Sequence, residues 1–152
     1  MSLKVSFSPI GLACCQVLTE SILSSECGRF TILTGKEFLS QYGIMNRQIR
    51  SVKLQLDDME KMAKINEMNG VFEDEILHLT DHLKGLVCAS NAVKRNILDK
   101  IFQINSSNRQ EILIRKYIRL ESTEKISKEI FLSRQGVYYH LAIGEKEIKE
   151  ML

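Results

Sequence analysis

The chain has 152 residues, 44% of them hydrophobic and 26% charged, with a formal net charge of +2. That length holds one modest domain, or a small domain with an extended helical part, and the composition excludes a membrane-filling or broadly disordered chain. The slight positive balance is compatible with a nucleic-acid partner but does not argue for one. With one proline, Pro9, and only eight glycines, the chain has few helix interruptions, and an all-α fold is expected.

Residues 1–35 hold Pro9, Gly11, Gly28, Gly35 and three of the four cysteines. A short helix over Ala13–Leu23 and an extended piece over Phe30–Leu33 are readable, but no periodicity is decisive. The segment is read as an N-terminal extension without chemistry. Cys14, Cys15, Cys27 and Cys88 lack the paired spacing of a zinc site. Polar residues and Pro9 break the apolar run after Lys4, so no signal peptide is expected. Free thiols in the cytoplasm follow. No segment is long and apolar enough to span a bilayer.

From Lys36 the apolar residues fall into step: Phe38, Tyr42, Met45, Ile49, Val52, Leu56, Met59 and Ala63. Alternating steps of four and three put them on one helical seam. Asn69-Gly70 suits a left-handed stop. A second helix opens with Glu73, Asp74 and Glu75, where the helix dipole favours acids. Its seam runs Phe72, Ile76, Leu79, Leu83, Leu86, Ser90, Val93, Ile97, Ile101 and Ile104. Residues 36–104 are therefore expected to form a long antiparallel helical hairpin of coiled-coil type. A parallel dimer of two chains would bury the same seams. An Asp in place of Leu56 or Leu83 should then bury an unpaired carboxylate.

Residues 105–152 begin with "NSSN". Ser107 or Asn108 is expected to cap a helix from Arg109 to about Leu120, with Ile112, Leu113, Tyr117 and Leu120 facing inward. A short helix over Glu124–Ile130 and a last one from Arg134 to about Met151, capped by Ser133, complete a small trihelical unit. A helix-turn-helix needs a small residue in its first helix and aliphatic residues bracketing the turn. Ile126, Ser127, Ile130, Leu132 and Val137 stand at those offsets.

The outward positions of the last helix are then Arg134, Gln135, Tyr138 and Tyr139. Arg and Gln can read base edges, and Tyr can meet phosphate or a thymine methyl. Ser133, Arg115, Lys125 and Lys128 complete the candidate DNA-binding set. Two residues disturb the pattern. Phe131 stands where glycine usually turns the chain, and its ring is expected to pack while the turn is rebuilt around it. His140 stands where an aliphatic core residue would be usual, with Leu141 and Ile143 beside it.

The stretch "NRQEILIRKYIRLESTEKISKEIFLSRQGVYYHLAIGEKEIKEML", 108–152, resembles the sigma-factor region 4-like domain of small phage transcription regulators from Gram-positive bacteria, the ArpU and RinA types. The resemblance lies in "RKYI" late in the first helix, Ser-Arg opening the last helix, the aromatic "VYY" and a trailing charged helix. The "KEFL" start followed by a charged coiled coil extends it to about 115 residues. It departs at Phe131, Gly136 and Gly144. It implies a phage or prophage transcriptional regulator that reads double-stranded DNA, with RNA polymerase as a further partner.

No phosphate-cradling loop, metalloprotease motif or nucleophile elbow is present, so neither an enzyme nor a cofactor is expected. His78 and His82 share a helix face, but they flank apolar seam positions and are read as surface rather than metal ligands. The competing class is a non-enzymatic protein-interaction module without DNA specificity of its own. Between 109 and 152 nine Lys/Arg face seven Asp/Glu. A single copy should bind DNA weakly, and a homodimer would supply useful affinity.

Overall fold

A computed structural model describes residues 33–65, 70 and 72–152. The expectations for residues 1–32 of the N-terminal extension, and all of the helix stop except Gly70, fall outside those residues, while Gly35 of that extension belongs to the first helix. The described chain is all-helical. Helix α1 spans Gly35–Ile65 and α2 spans Glu73–Phe102. Helix α3, Ser107–Leu113, continues as a wider π-helical stretch over Ile114–Ile118. Helices α4, Thr123–Glu129, and α5, Arg134–Glu150, follow.

Local chemistry explains most of the boundaries. Thr34 and Glu37 close a reciprocal capping box at the start of α1. The Thr34 N–H donates to Glu37 Oε2 at 2.8 Å, and the Glu37 N–H donates to Thr34 Oγ1 at 3.2 Å. These bonds, led by the Thr34 backbone N–H, hold the Glu37 carboxyl below its ordinary pKa. Phe72 precedes α2 without a side-chain cap, and three acids in the first turn meet the helix dipole instead. From α3, Gln110 Nε2 donates to the last α2 carbonyl, Phe102 O, at 3.4 Å and to Ile104 O just beyond the helix at 2.7 Å.

Helix α1 packs along α2. Every expected seam residue of both helices is buried or half-buried. The degree differs along the pair. Phe38, Ile97, Ile101 and Ile104 are buried at the end nearest α3, while Leu56, Met59, Leu79 and Leu83 are half-buried further out.

One core cluster joins this pair to the C-terminal helices. Phe38 and Leu39 of α1 and Ile97 and Ile101 of α2 share it with Ile112, Leu113, Tyr117, Ile126, Val137, Leu141 and Ile148. Packing therefore has no break at 104–105, where the sequence suggests a domain boundary. The link is a second face of α1, made by Gly35, Leu39 and Gly43. A Cβ on Gly35 would lie 1.9 Å from the Glu145 carbonyl oxygen, so only glycine permits this approach to α5. Leu39 is fully buried, and Gly43 lies against the Leu120 side chain.

Three expectations in the trihelical part are corrected. The residue preceding α3 is Ser106 rather than Ser107 or Asn108, and its side chain makes no capping bond. The helix widens at Ile114, with the Arg119 N–H donating to Ile114 O at 2.9 Å, five residues back. It ends at Ile118, and Leu120, beyond it, has a φ of 58° and is 48% exposed rather than turned inward. The wider turn keeps Tyr117 in the core while bringing Leu120 over Gly43.

Candidate nucleic-acid interface

The turn between α4 and α5 is held from one residue. Ser127 Oγ donates to Leu132 O at 2.6 Å, and the Leu132 N–H donates to Ser127 O at 3.2 Å. A small hydroxyl side chain thus fixes the corner while Ile130 and Leu132 pack on the core. Phe131 lies between them with a φ of 55° and is 94% exposed. The expected packing of its ring is overturned. The side chain stands in solvent, and the backbone takes the left-handed conformation that costs a non-glycine residue about 1–2 kcal/mol.

Helix α5 begins where expected. Ser133 Oγ accepts from the Gly136 N–H at 3.1 Å. The two glycines of α5 do not interrupt it. A Cβ on Gly144 would meet Leu113 Cδ1 at 2.8 Å, so this glycine marks the close crossing of α5 over α3. Val137, Leu141, Gly144 and Ile148 form the inner face. His140 is therefore not a core position. It is half-buried beside Leu141, with its ring edge-on to Tyr139 at 5.8 Å and its Nδ1 buried without a partner.

The outer face carries Gln135, Tyr138, Tyr139, Ala142 and Lys146, all exposed. None is a carboxylate. Two glutamates of the same helix are turned aside and paired. Glu145 accepts a hydrogen bond from the Tyr117 hydroxyl, and Glu147 forms an ion pair with Arg109. Burial, and then the hydrogen bond to Glu145, push the Tyr117 phenol above its ordinary pKa. The pairing leaves α5 with an elongated polar and aromatic surface that runs to Lys146 and Lys149, with the exposed Glu150 at its end.

The other candidates separate into two groups. Arg134 is exposed but rests on Glu124, Nη2 to Oε1 at 2.6 Å. Lys128 points outward from α4 with no carboxylate partner among the described residues. Arg115 and Lys125 lie elsewhere, in a glutamate cluster. The Arg115 side chain is 14% exposed and meets Glu111 at 2.9 Å, Glu121 at 3.4 Å, and Glu129. The hydrogen bonds it donates to Glu129 and then to Glu111 raise its already high pKa. Lys125 reaches Glu121 at 3.1 Å, and that bond leads the causes holding the Glu121 carboxyl below its ordinary pKa. Arg115 ties α3 to α4 and is not presented as a free cation.

Three exposed cations absent from the sequence-based set, Arg119, Lys146 and Lys149, have no carboxylate partner among the described residues. For Lys146 and Lys149 the signal was present. They continue the i, i+3/i+4 spacing of Gln135, Tyr139 and Ala142 along α5. His78 and His82 are exposed, and no cluster of three metal-ligating side chains occurs among the described residues. No helix of the described residues is long and apolar enough to cross a membrane.

No family model, no curated protein and no solved structure gives a significant match to this chain.

Proposed function

We propose that the chain is a sequence-specific, DNA-binding transcriptional regulator of phage or prophage type. In this reading α4 and α5 form a helix-turn-helix, and α5 enters the major groove. Helices α1 and α2 form a coiled-coil hairpin that carries the reading unit. The observation that carries the proposal is the outer face of α5. Over about three turns it offers Gln135, Tyr138, Tyr139 and Lys146, with Glu145 and Glu147 held by Tyr117 and Arg109 and the exposed Glu150 one turn beyond Lys146. The region 4-like features of 108–152 support the same reading.

Gln135 and Arg134 are assigned to base edges, Tyr138 and Tyr139 to thymine methyls or phosphate, and Ser133 to the start of the helix. Lys128, Lys146 and Lys149 are assigned to phosphates. Arg134 must leave Glu124 to reach a base, an exchange that an exposed pair permits at little cost. The alternative, a protein-docking module, draws on the exposed Phe131.

The test is selection of bound duplexes from random DNA with the purified chain, followed by salt titration on the selected site. Replacing Arg134 and Gln135 with Ala should cost about 1–3 kcal/mol on the selected site and less on random DNA. Replacing Lys146 and Lys149 should weaken both and flatten the salt dependence by about one unit of slope per phosphate lost. If no sequence is enriched, the proposal fails.

A further inference from the structure

Charge is sorted along the α1–α2 pair, although the chain as a whole carries only +2. Between Phe38 and Leu56 of α1, and between His82 and Leu98 of α2, no Asp or Glu occurs, while Arg47, Arg50, Lys53, Lys84, Lys94 and Arg95 do. The two stretches lie side by side. Lys94 Nζ sits over the Tyr42 ring, 5.8 Å from its centroid, and the chain passes from Ile65 to Glu73 at the other end of the pair. Toward that end the same helices carry seven carboxylates, from Asp57 to Glu60 and from Glu73 to Asp81, against Lys61 and Lys64. Lys84 marks the border, paired with Asp81 at 2.9 Å. The other five cations have no carboxylate partner among the described residues, and only Lys94 is less than fully exposed. Helical spacing gathers them. Arg50 lies two turns beyond Gly43, which rests against the Leu120 side chain, and Arg47 and Lys53 flank it at three-residue steps. Lys84 and Arg95, three turns apart, share a side of α2 next to Lys94. The result is a basic belt that starts beside the exposed Arg119 and runs about 15 Å along the pair.

We infer that this belt binds the phosphate backbone of a DNA duplex, whatever its base sequence, so that the α1–α2 pair is itself a nucleic-acid surface and not only a carrier. Each cation that meets a phosphate releases a counterion from the duplex, and the gain grows with the number of cations engaged. Three of the five unpaired cations are arginines, whose planar fork takes two phosphate oxygens at once. Continuity favours the same occupant. The belt begins beside Arg119, which is exposed and without a carboxylate partner among the described residues, on the unit already assigned to DNA. The acidic outer end repels phosphate, so it bounds the belt and directs a duplex toward the C-terminal helices. That same acidic end, on a second copy, has the complementary charge, but exposed ion pairs between side chains hold weakly and lack the counterion release of a duplex. The belt acts whether or not α5 reads bases.

The test is fluorescence anisotropy of a labelled mixed-sequence duplex with the full chain, from about 50 to 200 mM salt. Arg50→Gln with Arg95→Gln removes two charges from the belt. Lys61→Gln with Lys64→Gln removes the same charge from the acidic outer end. Glutamine keeps helix propensity, so circular dichroism should be unchanged in both. The belt variant should bind about tenfold or more weakly at low salt and flatten the salt dependence by about two units of slope. The outer-end variant should lose clearly less of each. Arg50→Lys with Arg95→Lys keeps the charge and should recover most of the affinity. On a duplex enriched by selection the belt variant should lose the same factor as on mixed sequence, because backbone contacts carry no sequence information. A chain that enriches no sequence but shows these differences removes α5 as a base reader and leaves the belt standing. Equal losses in the two Gln variants, or an unchanged slope in the belt variant, overturn the inference. So does a salt-sensitive wild-type dimer, seen by sedimentation, that the belt variant loses while its duplex affinity is unchanged, which would seat the acidic end of a second copy on the belt.

Discussion

The two ends of the α1–α2 pair carry the same heptad pattern and bury it to different depths. Near α3 the seam is deepest, with Ile97 and Ile101 fully buried. Farther out, Leu56, Met59, Leu79 and Leu83 keep part of their surface in solvent. The side chains are equally apolar, so composition does not explain the contrast. Neighbours do. At the inner end α1 has a second packing face, Gly35, Leu39 and Gly43, against α5 and Leu120, while the outer pair is only two helices thick. A heptad repeat says which residues face a partner. It does not say how many partners arrive.

The contrast can be broken most sharply with cavities. Leu39→Ala should cost about 2–5 kcal/mol, the range for a fully buried aliphatic side chain. Leu83→Ala, half-exposed, should cost clearly less. Urea denaturation of the full chain measures both, and equal losses would erase the distinction. The same reasoning lowers the cost expected for Asp at Leu56 or Leu83, because a half-exposed carboxylate stays partly hydrated.

Arg115→Met tests whether the inner end depends on polar ties as well as packing. It leaves Glu121, 12% exposed, with Lys125 as its remaining ion-pair partner. The melting temperature should fall, while the affinity for a mixed-sequence duplex should stay near wild type. A normal melting temperature with weaker DNA binding would return Arg115 to the phosphate contacts.

Phe131→Gly should raise the stability of the full chain by up to about 1 kcal/mol, since it relieves a left-handed φ and loses no buried contact. A destabilised variant would mean that the ring is packed after all.

The smallest effect concerns the first turn of α1. The Glu37 carboxyl is held below its ordinary value of 4.5 by the Thr34 bonds. A depressed folded-state pKa gives stability that is present above the unfolded value and lost as the pH falls through the folded one. Amide exchange at Glu37 and Phe38 should therefore quicken as the pH falls below about 4.5, relative to the intrinsic acid rates. Glu37→Gln should abolish that extra acid dependence.

Much of the fold was legible because periodicity and capping are local. The seam residues, the Ser133 cap and the small Ser127 corner all follow from spacing. What escaped depends on contacts between distant segments. Leu39 lies off the α1 heptad seam and is buried in a core it shares with α5, which begins 95 residues further along the chain. Glu145 and Glu147 look like solvated charges until Tyr117 and Arg109 are seen beside them. The capping box of Thr34 and Glu37 was available from its spacing and was obscured by reading the helix start at Lys36. Phe131 was misjudged because burial is the usual fate of a phenylalanine, and nothing local marks an exception.

The seat of Gly35 against the Glu145 carbonyl also bears on how the molecule is made. The first described helix closes on the last one, so Leu39 finds its permanent neighbours only after α5 has been synthesised. Until then the nascent chain can pair α1 with α2 but presents an unfilled apolar face along α1, open to chaperones or to mispairing. Closure across so long a stretch is an entropically late event. Folding should accordingly begin with α2 and its sequence neighbours and finish when α1 and α5 meet.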